Sequence, residues 1–166
     1  MDGNGKNIHR YGKTGTYQGP FALSHASRLA VNAVDEVAAI DKDQKAIVFF
    51  DATGKISGKI PLKGTGYDLQ NPEDLTYDAF GHLYVLDRGA IAVFSPYPAA
   101  PPAASAALAA PAAPAASAAR TYRLVTLFAE PEKSVAGFHK GTAFALNQAG
   151  VIYLYDENAK RILVYR

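Results

Sequence analysis

Apolar positions in this chain fall in runs of four or five separated by turn residues, a spacing that predicts short strands rather than helices. Three times the runs follow one order. A first strand carries alternate apolar positions: Leu29 and Val31, Leu75 and Tyr77, Phe144 and Leu146, with Ala30, Thr76 and Ala145 on the other side. After a tight turn comes a second strand, apolar nearly throughout and ending in an acid: Val37–Asp41, Leu83–Asp87 and Ile152–Asp156. A third apolar strand follows, Ala46-Ile47-Val48-Phe49-Phe50, Ala90-Ile91-Ala92-Val93-Phe94 and Arg161-Ile162-Leu163-Val164-Tyr165. Gly81 and Gly150 supply the positive φ of the first turn, where the first unit has the weaker Ala33-Val34-Asp35-Glu36.

Asp41 and Asp87 lie 46 residues apart; Asp87 and Asp156 lie 69 apart, and removing an Ala/Pro tract of about 23 residues restores the same period. A second strand without polar alternation needs cover on both faces, as in a sheet wedged between two others. Together these observations predict an all-β fold, a β-propeller segment of about three four-stranded blades spanning roughly 23–62, 72–128 and 142–166. Outer fourth strands are expected at Lys55 to Leu62 and Thr121 to Phe128. The third unit has none, so its blade is expected to be completed by the N-terminal strand near residues 6–13 or by another copy. The Ala/Pro-rich stretch 97–120 is expected to be a disordered loop inserted in the middle blade.

The second unit runs Asn71-Pro72-Glu73-Asp74-Leu75-Thr76-Tyr77-Asp78, then Gly81-His82-Leu83-Tyr84-Val85-Leu86-Asp87 and a strand ending Val93-Phe94. This resembles an NHL repeat. The third unit lacks the proline; the first lacks the glycine and places Pro20 nine residues before Leu29. Lys13 to Pro20 and Lys63 to Pro72 read as one inter-blade linker used twice. The resemblance implies a propeller, commonly six-bladed and often bacterial, acting as a platform for proteins, RNA or glycans. One branch of that family includes zinc-dependent lyases. Complete propellers have four to eight blades, so three predict part of a larger ring or a half-ring that pairs with itself.

Chemistry is sparse. A net charge of +2 argues against DNA binding, and the absence of cysteine removes thiolate sites and disulfides. Ala99 to Ala119 is uncharged, but Pro101, Pro102, Pro111 and Pro114 argue against a membrane span. Composition assigns no compartment. No nucleophile elbow or phosphate loop is present. His25 and His139 precede first strands with Glu73 and Asp74 near, which frames an alternative: a metal-assisted lyase or hydrolase at the propeller entrance. No His pair has metal-ligand spacing, so neither metal nor cofactor is predicted. Asp41, Asp87 and Asp156 recur in every unit and are read as structural acceptors for turn N–H groups. The favoured function is a non-enzymatic, protein-binding platform using inter-blade loops at His25, Arg28, Asn71, Glu73, His139 and Lys140. RNA binding is the second alternative.

Overall fold

The computed structural model describes residues 7–11, 17–97, 121–129, 138 and 140–166. The first sheet is β3 (Ala26–Val31), β4 (Val37–Asp41), β5 (Ala46–Phe50) and β6 (Ile56–Pro61) in sequence order. The second is β7 (Pro72–Tyr77), β8 (Leu83–Asp87), β9 (Ala90–Tyr97) and β10 (Thr121–Ala129), the third β11 (Gly141–Leu146), β12 (Ile152–Asp156) and β13 (Arg161–Tyr165). All pairings are antiparallel. Of the stretch 97–120, expected to be a disordered loop, Tyr97 is the last residue of β9 and 98–120 lie outside the described residues.

Local chemistry explains the repeated hairpins. Asn32, Asp78 and Asn147 each accept, through Oδ1, the N–H groups two and four residues on, at 2.8–3.0 Å. Asp51 repeats the device between β5 and β6 at 2.9 and 3.1 Å. The fourth residue of each turn has positive φ: Gly54, Gly81 and Gly150, but Asp35 at φ 60 in the first sheet. Short acceptor side chains thus set the turn, and the left-handed position follows.

The sheets stack face to face. Ala38, Ile40, Ile47 and Phe49 of the first sheet meet Leu75, Leu83, Val85 and Phe94 of the second. Leu86 and Ile91 of the second meet Phe144, Ile152 and Leu154 of the third. Full burial of side chains such as Phe49 and Phe94 contributes about 1.5–3 kcal/mol each. At Gly141 a Cβ would come within 2.9 Å of Leu86 Cδ1, so the bare backbone permits close approach of the last two sheets. The first strands lie beside one another, β3 against β7 and β7 against β11, which defines the inner side of the stack.

Two expectations need correction. The N-terminal strand β1 (Asn7–Tyr11) does not join β13. It pairs with β2 (Tyr17–Ala22) in a separate two-stranded sheet, and Ile8 packs with Leu23 on Val37, Ala39, Val48 and Phe50 of the first sheet. The stretch Lys13 to Pro20 is therefore not all linker. Pro20 sits opposite His9 in a narrow two-stranded sheet, where a residue without N–H is tolerated.

The second strands follow the expectation of two covered faces in β4 and almost wholly in β8, but β12 alternates buried and exposed. No further sheet among the described residues lies beyond the third. Among the described residues, no helix is long and apolar enough to cross a membrane.

Candidate functional site

The ends of the second strands, where the chain turns into the next blade, hold most of the polar side chains singled out from the sequence. Asp41, Asp87 and Asp156 are fully buried there, and each reaches back to the segment that enters its own sheet. Asp41 accepts the N–H groups of Ser24 (2.9 Å) and His25 (3.3 Å), then those of Asp43 and Gln44 in the turn. Asp87 accepts those of Gln70 (2.9 Å) and Asn71 (2.6 Å) and the Tyr67 hydroxyl (3.1 Å). Asp156 accepts those of Lys140 (3.4 Å) and Ala159 (3.3 Å). The repeated aspartate is thus a fastener that fixes the inter-blade loop.

The electrostatics agree. Burial opposes ionisation of Asp41, but the N–H groups of Gln44 and Ser24, the Gln44 side chain and the His25 N–H outweigh it and hold the carboxyl below its ordinary value. Burial, then the charge of Asp87 and the bond to it, push the Tyr67 hydroxyl up to about 12, so it stays a donor.

Each inner strand also carries a register shift one residue in from this end, at Ser27, Glu73 and Thr142. A bulge bends its strand and re-aims a side chain. Arg28 follows the first shift, is exposed, and donates to the Ser27 carbonyl at 2.9 Å. His25 Nδ1 lies 3.7 Å from Asp43 Oδ1.

At the junction of the second and third sheets, the Asn71 amide donates to Glu73 Oε1. There Lys140 Nζ lies 2.7 Å from Glu157 Oε2. The hydrogen bond and charge of Glu157, aided by the charge of Glu73, raise the Lys140 ammonium above its usual range. Asn71 and Glu73 are therefore joined to each other and Lys140 to Glu157, while His25 immediately precedes β3 of the first sheet and Arg28 lies on it. His139 lies outside the described residues. Among the described residues, no group of three or more His, Cys, Asp or Glu is placed to hold a metal.

A cleft of about 440 Å³ opens between the first and second sheets at the same end. Its buried lining is apolar, with Ile40, Leu69 and Pro72, and exposed Lys42, Lys45 and Lys63 stand around it with the Gln70 and Asn71 amides. Among the described residues, no acidic side chain lines it. Its walls are tied down: Leu62 N–H donates to the Lys45 carbonyl (2.9 Å), Leu69 N–H to the Leu62 carbonyl (2.7 Å) and Gly64 N–H to Asp68 (2.8 Å). Of the residues expected to form a binding surface, only Asn71 lines this cleft. Lys42 and Lys45 lie in the polar hairpin after Asp41 and Lys63 in the linker to Pro72, so no local pattern marks them as neighbours.

No protein-family model matches the chain, and no curated protein matches it. Among solved structures, a luciferin-regenerating enzyme is similar over 89% of this chain and 43% of its own, with 16% identity and a TM-score of 0.53. Virginiamycin B lyase from Staphylococcus aureus is similar over 98% of this chain and 49% of its own, with 11% identity and a TM-score of 0.54. Both are six-bladed β-propellers. The fold is that of a β-propeller segment. The chain spans about half the length of these structures, and at such identities the likeness carries the fold alone.

Proposed function

We propose that this chain is an NHL-like propeller segment acting as a non-enzymatic binding platform. Its partner is a protein segment that presents acidic residues around an apolar side chain. The observation that supports this reading is the cleft between the first two sheets, with an apolar lining and three lysines but no acid. An apolar anchor would fill the space over Ile40, Leu69 and Pro72 while flanking carboxylates meet Lys42, Lys45 and Lys63. Fixed walls lower the ordering cost of binding. Asn71, Glu73 and Lys140 extend the same loop surface toward the third sheet. The metal-assisted alternative draws no comparable support: among the described residues no three His, Cys, Asp or Glu side chains converge around His25 or elsewhere.

Fluorescence anisotropy with a labelled peptide of alternating Asp and Leu tests the reading. Binding should weaken with salt and fall at least ~10-fold in a Lys42→Glu/Lys63→Glu variant. A Lys peptide of equal length should not bind. Equal affinity in wild type and variant, or stronger binding of a single-stranded RNA than of the acidic peptide, would rule it out.

A further inference from the structure

The hairpins at Asn32, Asp78 and Asn147 lie at the opposite end of the second strands from the lysine-rimmed cleft. Two hollows open between them. One of about 510 Å³ separates the second and third hairpins, with Asp78, Phe80, His82, Asn147 and Gln148 among its walls. The other, about 180 Å³, separates the first and second and is lined by Val34, Phe80 and Pro96. Phe80 is a wall of both, and it is 82% exposed. The turn does not need that ring. Asp78 Oδ1 and the positive φ of Gly81 set it, and the matching positions of the other two hairpins hold Val34 and Ala149. Nor does the ring belong to the core; it meets His82 at a tilt, with centroids 6.3 Å apart.

His82 is held in one tautomer. Its Nδ1 lies 2.7 Å from Asp78 Oδ2, and a carboxylate oxygen accepts, so Nδ1 carries the proton and Nε2 of the neutral ring is an acceptor. Asp78 is itself satisfied inside the hairpin. It accepts the Phe80 and His82 N–H groups at 2.8 and 2.9 Å and the Tyr84 hydroxyl, which burial and then the Asp78 charge push up. Its side chain is only 9% exposed. The polar capacity that remains beside Phe80 is His82 Nε2 and the exposed amides of Asn147 and Gln148. Among the described residues, no Lys or Arg lines either hollow.

This lining discriminates by chemistry. Lacking cations, it has nothing to neutralise a phosphate backbone or a carboxylate; with Asp78 satisfied, it holds no spare charge for a cation. It offers an aromatic face flanked by neutral groups that donate and accept. A pyranose presents the counterpart, ring C–H groups on its faces and hydroxyls on its rim, and those C–H hydrogens are attracted to the negative face of an aromatic ring. In β-1,4-linked glucose every hydroxyl is equatorial, so both ring faces stay clear and the extended chain can occupy both hollows at once. We propose that the hollows on either side of Phe80 bind a neutral, β-1,4-linked hexose oligosaccharide. One sugar ring stacks on Phe80 while its hydroxyls bond to His82 Nε2 and the amides of Asn147 and Gln148. The proposal is independent of the acidic-segment reading, since the two sites lie at opposite ends of the strands.

Isothermal titration calorimetry of the full 166-residue chain with cellotetraose tests it. Binding should saturate at one site and stay the same from low to high salt, because neither partner contributes a charge to it. Phe80→Ala should weaken it at least ~5-fold with unchanged circular dichroism, and Phe80→Trp should restore it. Gln148→Ala, on the facing hairpin, should cost about 3-fold. Val125→Ala, which trims an exposed apolar residue of β10, should leave the affinity unchanged. Absence of binding at millimolar cellotetraose, an affinity indifferent to Phe80→Ala, or tighter binding of tetragalacturonate, a negatively charged oligosaccharide of equal length, would each overturn the proposal.

Discussion

The Tyr122 hydroxyl donates a 2.8 Å hydrogen bond to Glu36 Oε2 across the junction of the first and second sheets. The same ring stacks on Phe49, with centroids 4.0 Å apart and planes 10° from parallel. Glu36 is only 4% exposed, and its carboxylate also accepts from the Asn32 amide (3.0 Å) and faces the Ser57 hydroxyl (3.4 Å). One residue of β10 therefore satisfies a buried acid and covers a core ring on the neighbouring sheet.

Tyr122→Phe keeps the stacked ring and removes the donor. Because the acceptor stays buried, the loss should be about 1–3 kcal/mol, more than the value of an ordinary exposed hydrogen bond. Urea unfolding should show a lower midpoint with an unchanged slope. A midpoint equal to wild type would mean that water or another group replaces the hydroxyl.

The four-fold hairpin device singles out Asp35. Gly occupies the positive-φ position in the other three turns, while Asp35 sits at φ 60 with a side chain. Asp35→Gly should relieve that strain and stabilise the first sheet by a few tenths to about 1 kcal/mol. Thermal melting is the check; a lower melting temperature would show that the Asp35 side chain itself supports the turn.

Much of this architecture was legible in the sequence, for a physical reason. A carboxylate needed at the same place in every sheet must recur at the sheet period, so Asp41, Asp87 and Asp156 announced both the repeat and their structural role. The apolar second strands announced stacking. What escaped was set by contacts distant in sequence. The cleft joins Lys42 and Lys45 to Lys63 through the Leu62–Lys45 and Leu69–Leu62 hydrogen bonds, which no local pattern encodes. Strand β2 was hidden because Gly19-Pro20 reads as a turn, and its single pairing partner leaves room for a proline. The first turn looked weak because its signal is Asn32, the acceptor, rather than a glycine.

Acid should expose the fastener role of Asp41. Its folded-state carboxyl titrates below the ordinary value, so the unfolded chain takes up its proton first as pH falls. The stability it contributes is full above the unfolded value of about 3.9 and is lost as pH drops through the folded value. Urea midpoints at pH 6 and pH 3 should therefore differ more for wild type than for Asp41→Asn, which is less stable at pH 6 and has nothing there to protonate. Equal differences in the two proteins would assign the acid sensitivity elsewhere.

The lysine-rimmed cleft is where the proposed partner would dock. The most direct measurement is a two-dimensional amide NMR titration of the protein with the alternating Asp–Leu peptide. Shifts should concentrate at Lys42, Lys45, Lys63, Gln70 and Asn71, with the hairpins at Asn32, Asp78 and Asn147 unmoved. Shifts confined to those distant hairpins or to the Tyr153–Val164 face, or no shifts at saturating peptide, would contradict it.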